Sequence, residues 1–226
     1  YCKDVQRTIN ILKNCGISVT REKNKTIIRG GKKLQTRKRR FYCGNSGSTA
    51  RFMLGFLPTQ GISGILYGDK SLSKRPMNRV IQPLQDMNVQ FTTRGETLPI
   101  AFSASTPIAH NHTLKVPSAQ VKTALIFASL ACQDKSEIKD YFNTRDHTER
   151  LLKYLGYKDR KYSKFIPKGF EYTVPGDISS ASFLISAALL IPKSNLIIKD
   201  VLYNKTRTGY IRILKQMGGD IKISNT

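Results

Sequence analysis

The sequence predicts an α/β fold made by repetition, with strands around buried helices. Three observations lead there. Amphipathic helical segments closed by Gly or Asn recur at similar spacing, strongly apolar helical segments alternate with them, and short β-rich runs separate the two kinds. The unit is strand–helix–strand–helix–strand, about 60–70 residues long, occurring about three times with incomplete flanking copies.

The amphipathic segments run from Val5 to Val19, Pro76 to Phe91, His147 to Tyr157 and Thr208 to Ile223. They close at Cys15-Gly16, Met87-Asn88, Leu155-Gly156 and Met217-Gly218, pairs that stand 72, 68 and 62 residues apart. Gly or Asn there suits the left-handed residue that ends a helix, and a short apolar strand is expected after each. Lys and Arg on one face place these helices outside.

The apolar helices begin in small, polar clusters. They run from Gly44-Asn45-Ser46-Gly47-Ser48-Thr49 to Leu57, from Pro117-Ser118-Ala119-Gln120 to Ala131, and from Pro175-Gly176-Asp177 to Ile191. The last is apolar nearly all round, through Phe183, Leu184, Ile185, Ala187, Ala188 and Leu189, so it belongs inside. Strands are expected at Phe41-Tyr42-Cys43, from Ile62 to Tyr67, from Ser136 to Tyr141 and from Asn195 to Val201. Approximate repeats are 1–105, 106–170 and 171–226, forming one lobe. Tyr1-Cys2-Lys3-Asp4-Val5 starts nearly inside a helix and Ile221-Lys222-Ile223-Ser224 stops in an expected strand, so both ends read as cut.

With 226 residues and 39% hydrophobic residues, the chain is neither a disulfide-dependent mini-protein nor a disordered polymer. No run reaches the ~20 apolar residues of a membrane helix, and no secretory signal is present, so the expected location is the cytoplasm. Cys2, Cys15, Cys43 and Cys132 form no C-x-x-C pair and read as incidental thiols. His110 and His112 alternate around Asn111 with no Cys or carboxylate nearby in sequence, and no metal site is expected. The formal net charge of +23 is mostly spread Lys. The dense group Lys32, Lys33, Arg37, Lys38, Arg39 and Arg40 reads as a solvated loop.

The polar clusters matter because helix N-termini carry unpaired N–H groups and the positive end of the dipole, which favour an anion. For the cluster at 44–49 taken by itself, ordinary capping by Ser and Asn is the better account. Arg75 is more telling. If Pro76 opens a helix, Arg75 stands at its cap, where a cation opposes the dipole unless an anion joins it. Arg145 and Arg207 stand at corresponding points of the next two repeats. Ser118 and Gln120 supply hydroxyl and amide groups at the second apolar helix, while Asp177 reads as a structural cap. The chain has no HExxH, P-loop or GxGxxG, and the inferred pocket is rich in binding groups but poor in proton-transfer groups.

Six segments carry a resemblance: GNSGSTAR (44–51), GDKSLSKRPM (68–77), VPSAQVKTALIFASL (116–130), TRDHTERLLK (144–153), VPGDISSASFLISAALL (174–190) and NKTRTGYIRILKQMGGDI (204–221). In order, and across essentially the whole chain, they resemble the N-terminal lobe of the EPSP synthase (3-phosphoshikimate 1-carboxyvinyltransferase) family, in its bacterial SAQVK-type branch. The resemblance implies a lobe of three βαβαββ units around buried helices, an inside-out α/β barrel. It implies transfer of the enolpyruvyl group of phosphoenolpyruvate to the 5-hydroxyl of shikimate 3-phosphate, with phosphate released through a tetrahedral intermediate and no metal or organic cofactor. It implies a monomer, with a C-terminal lobe of the same longer chain as partner.

Carried over by motif, Asn45, Gly47, Arg75 and Gln120 are expected at phosphoenolpyruvate. Ser118, Ala119, Gln120 and Arg145 are expected at shikimate 3-phosphate, with Asp4 at an acidic position near the cleft. Gly47 is where a side chain would obstruct the herbicide glyphosate. Ser48 and Phe52 depart from the family's Thr and frequent Pro or Leu. The family's Lys-Ser…Arg motif would precede Tyr1, and the other lobe's acidic and basic groups are absent, so the chain alone is expected to be inactive.

Three other readings are weaker. A sister enolpyruvyl transferase acting on a nucleotide sugar would carry a Cys before the Arg-Pro pair, but Gly68 to Lys74 has none. A nucleic-acid module would rest on charge alone, without a recognition motif or suitably placed stacking aromatics. A non-catalytic structural fragment describes this length of chain only in a limited sense.

Overall fold

A computed structural model describes residues 2–92 and 95–224. Among them the chain forms α1 (Lys3–Asn14), β1 (Ser18–Glu22), β2 (Lys25–Arg29), β3 (Arg40–Tyr42), α2 (Gly47–Phe56), β4 (Gly64–Tyr67), α3 (Asn78–Asp86), β5 (Phe91–Thr92), β6 (Ile100–Phe102), β7 (His112–Thr113), α4 (Ala119–Ser129), β8 (Ile138–Lys139), α5 (His147–Tyr154), α6 (Ile178–Leu190) and α7 (Gly209–Gln216). Tyr1 lies outside the described residues. No described helix is long and apolar enough to cross a membrane.

The repeat is visible in the backbone. Helices α1, α3, α5 and α7 are followed by Gly16, Asn88, Gly156 and Gly218 at φ of 87°, 63°, 95° and 93°. All four are the left-handed residues that the closing pairs require. The apolar helices each join two parallel extended segments. Phe41 pairs with Leu66 around α2, His112 with Ile138 around α4, and Gly176 with Val201 around α6. The partners are 25, 26 and 25 residues apart, so one strand–helix–strand device occurs three times.

The devices are unequally developed. Around α2 the pair grows into a sheet of order β3-β4-β6-β5, with β6 antiparallel to both β4 and β5. Around α4 it stays two-stranded, and around α6 it is a single bridge rather than the expected strand from Asn195 to Val201. The segment from Ile221 to Ser224 joins no ladder among the described residues. A hairpin of β1 and β2 forms where the sequence suggested one strand.

Two compact units result. The first comprises Tyr1–Phe142 and Gly156–Ile166, the second Asn143–Leu155 and Pro167–Thr226. The first has a large core in which Phe41, Leu54, Leu57, Leu66, Leu84, Ile100 and Leu125 are almost fully enclosed. Helices α2 and α4 pack so closely there that a β-carbon on Gly55 would sit 2.2 Å from the Ala124 carbonyl oxygen. The second has a small core of Ile178, Ala181 and Ile211. Here the expectation of a buried third helix fails. Phe183 and Leu190 of α6 are 79% and 81% exposed, because the described residues of its unit cover only one side of it. The basic residues at 32–40 are exposed, as expected, on a segment that leads into β3 and is anchored in the core by Leu34.

Candidate functional site

The first unit brings two helix beginnings together. Ser46 caps α2, its buried Oγ accepting from the Thr49 N–H at 3.2 Å. Ser118 caps α4 in the same way, accepting from the Val121 N–H at 3.3 Å, and Ala119 is the first helical residue. Gln120 joins the two starts. Its Nε2 donates to Ser48 Oγ at 2.7 Å, and its Oε1 accepts from Arg51 Nη1 at 2.8 Å. Both helices exceed eight residues and have neutral caps, so neither positive end is cancelled by its own cap.

Guanidinium groups surround this junction. Arg51 also donates to the Gly47 and Pro76 carbonyls, both at 3.4 Å. Burial, followed by the charges of Arg75 and Arg79, holds the Arg51 pKa below its ordinary value. Arg75 Nη2 donates to Asn45 Oδ1 at 2.6 Å, while Asn45 Nδ2 donates to Asp69 Oδ2 at 2.9 Å. The Leu72 N–H and the Asn45 amide bond to the Asp69 carboxylate and keep its pKa below the ordinary carboxylate range. Asp69 thereby orients Asn45, and Asn45 orients Arg75. A β-carbon on Gly47 would lie 2.7 Å from Arg51 Nη1 and 3.4 Å from Arg75 Nη1, so only hydrogen fits between these groups without displacing them.

Arg75 does not cap the start of α3, contrary to expectation. A short 3-10 turn at Leu72–Lys74 precedes it, and α3 begins at Asn78 with Met77 at its cap. Arg75 is extended (φ −84°, ψ 133°), which frees its side chain to reach back to Asn45. Asp4 lies in the first turn of α1. Its carbonyl accepts from Thr49 Oγ1 at 3.3 Å, so its backbone adjoins the start of α2 while its residue remains exposed.

Arg145 belongs to the second unit, two residues before α5. Burial and the neighbouring charge of Arg207 lower its pKa, against the opposing pull of Asp177. Asp146 does not neutralise Arg145 through a direct pair. Its carboxylate accepts from Arg150 Nε at 2.9 Å and Asn204 Nδ2 at 2.7 Å. Arg207 repeats the reach of Arg75, donating to Ser179 Oγ and standing 3.7 Å from Asp177 Oδ1. Asp177 accepts from the Ser179 and Ser180 N–H groups, so the start of α6 already has an internal anion. The two starts joined by Gln120 have no such carboxylate cap.

Sequence reasoning gave Arg51 no role. The signal was available, since Gly47 and Arg51 are four residues apart and share one helical face. The premise that His110 and His112 have no carboxylate nearby is corrected as well, because the fold brings Asp86 to them.

Comparison with known proteins gives one consistent result. The sequence profile for EPSP synthase (3-phosphoshikimate 1-carboxyvinyltransferase) matches residues 1–226. The 3-phosphoshikimate 1-carboxyvinyltransferases of Caldicellulosiruptor bescii and Caldicellulosiruptor saccharolyticus are 41% and 42% identical, over all of this chain and 55% of theirs. A solved EPSP synthase structure from Acinetobacter baumannii superposes with a TM-score of 0.85 at 34% identity, over 97% of this chain and 52% of that one. The chain thus spans about half the length of the curated relatives it matches.

Proposed function

The chain belongs to the EPSP synthase family and has its α/β fold, and from that premise we propose that it is a substrate-binding half of a 3-phosphoshikimate 1-carboxyvinyltransferase. The reaction moves the enolpyruvyl group of phosphoenolpyruvate to the 5-hydroxyl of shikimate 3-phosphate and releases phosphate. Both substrates are phosphorylated, and the first unit supplies the groups that phosphorylated anions need: guanidinium forks, helix N–H groups and no capping carboxylate. The observation that carries the reading is Gln120 bridging Ser48 and Arg51, which fuses two helix starts into one cationic seat.

In this proposal Asn45, Gly47, Arg75 and Gln120 hold phosphoenolpyruvate, and Arg51 joins them. Ser118, Ala119, Gln120 and Arg145 hold shikimate 3-phosphate, the role of Arg145 resting on its motif. Asp4 keeps its expected place as an acidic residue near the cleft, supported by its backbone carbonyl adjoining the α2 start. The groups present bind and orient; the proton-transfer groups come from a second lobe of the complete, monomeric, cytoplasmic enzyme. The 226-residue chain by itself binds without turning over.

The test is to titrate phosphoenolpyruvate and shikimate 3-phosphate separately into the chain by calorimetry, then incubate it with both and assay inorganic phosphate. Saturable binding without phosphate release is expected. No binding of either compound, at low salt and millimolar ligand, contradicts the reading. Phosphate release refutes the assignment of proton transfer to the missing lobe.

A further inference from the structure

The first unit contains a group of side chains that the anion site does not use. Asp86 ends α3, His112 opens β7, and His110 stands two residues before it. One ligand atom from each lies within 4.8 Å of the others, and none of the three side chains is buried. The separation of the two histidines explains part of this. Residues two apart on an extended segment share a face, so the imidazoles stand together, their centroids 6.4 Å apart, while Asn111 between them turns away.

The backbone around them is fixed from both sides. The Ile108 N–H donates to the carbonyl of Met87, the residue after Asp86, at 3.0 Å. Asn88 Nδ2 donates to the Thr106 carbonyl at 3.2 Å. On the far side, the His110 N–H donates to Ser136 Oγ at 3.1 Å and the His112 N–H to the Glu137 carbonyl at 2.7 Å. The Asn111 amide oxygen accepts from the Glu137 N–H at 3.0 Å, so the residue that turns away is also tied down. The imidazoles and the carboxylate therefore converge from a pinned frame, with only side-chain rotations left to adjust.

We propose that Asp86, His110 and His112 form a site for a late first-row divalent cation, zinc being the reference case, that ties the end of α3 to the start of β7. Two imidazole nitrogens and one carboxylate oxygen are the donors such ions prefer. Magnesium and calcium require sets dominated by oxygen. Three protein ligands leave a fourth position for water, so the ion is exchangeable rather than locked in a closed structural centre. Its effect is mechanical. Asp86 ends the outer helix of the first repeat, and the histidines begin the second, so a bound ion cross-links consecutive repeats. Because the folded chain gathers the ligands and the unfolded chain does not, binding raises the thermal midpoint.

The test uses the 226-residue chain, stripped with chelator and dialysed. Zinc chloride is titrated calorimetrically, and cobalt(II) is followed by visible absorption. One equivalent of zinc is expected, with a cobalt spectrum free of thiolate charge-transfer absorption and a zinc-dependent rise in the thermal midpoint. Magnesium and calcium should neither bind nor compete. Asp86→Asn and His112→Ala should each weaken zinc binding roughly tenfold or more. The chain has only 3 histidines, so His147→Ala serves as the imidazole control, and Cys2→Ser as the thiol control; both should bind like the parent. Absence of zinc uptake by the parent overturns the proposal without recourse to any variant. So does uptake that survives His110→Ala with His112→Ala, or that disappears with His147 or Cys2.

Discussion

Replacing Arg75 with Gln should move stability and ligand binding in opposite directions. In the ligand-free chain, Arg51 Nη1 and Arg75 Nη1 lie 2.7 and 3.4 Å from one point beside Gly47, so they are no more than about 6.1 Å apart. Two unit charges at that distance repel by about 0.7 kcal/mol in water and about 2.7 kcal/mol at an effective dielectric constant of about 20. Both groups are partly exposed, so the lower figure governs, and the lost bond to Asn45 offsets some of the relief. Arg75→Gln should leave the free chain as stable as the parent or up to about 1 kcal/mol more stable. Phosphoenolpyruvate binding should fall by about 1.5–3 kcal/mol, roughly 10- to 150-fold, because a charge-assisted fork is lost. Urea unfolding measures the first quantity and calorimetric titration the second. A variant destabilised by more than about 1 kcal/mol that binds like the parent would show Arg75 to be a structural residue and refute the reasoning.

The close approach of α2 and α4 predicts that Gly55→Ala costs at least about 2 kcal/mol in urea unfolding, since its methyl group would meet backbone 2.2 Å away. Gly156→Ala has open space and should cost only the left-handed backbone term, about 1–2 kcal/mol. A chromogenic disulfide reagent near pH 8 should label Cys2 promptly and the other three thiols only after denaturation. Burial pushes the Cys15 and Cys43 thiols up to about 11 and about 12, and raises Cys132 as well. More than one fast thiol would contradict the buried positions. Acid should destabilise the chain in part through Asp177, whose pKa is pushed up by burial but held below its ordinary value by hydrogen bonds from Ser180 and Ser179 and by the Arg207 charge. A depressed folded pKa adds stability above the unfolded value of about 3.9 and loses it as pH falls through the folded value. The fall in thermal midpoint from pH 6 to 3 should therefore be shallower in Asp177→Asn, and an unchanged slope would count against the role of that carboxylate.

Local signals were legible where local physics decides the structure. A left-handed closing residue needs no tertiary partner to be recognised, and Gly16, Asn88, Gly156 and Gly218 all take that conformation. Capping at the 44–49 cluster and by Asp177 was equally readable, and Ser46 and Asp177 do cap, whereas the capping by Ser118 was not read from the sequence. The start of α3 was misread because Pro76 is compatible with more than one conformation. Asp69 instead captures the Leu72 N–H and nucleates a 3-10 turn, which delays the helix to Asn78. The apolar composition of α6 indicated a buried helix, but burial requires a covering layer, and its unit supplies one on a single side. The meeting of Asp86 with His110 and His112 has no local signature, because it depends on how the chain returns along α3.

The most direct test of the common anion seat is an amide and arginine side-chain NMR titration of the 226-residue chain with phosphoenolpyruvate. The predicted result is a single dissociation constant for the signals of Gly47, Ser48, Ala119 and Gln120 together with Arg51 and Arg75, and unmoved signals along β1 and β2. Shifts confined to the basic loop at 32–40, or separate constants for the α2 and α4 starts, would contradict it.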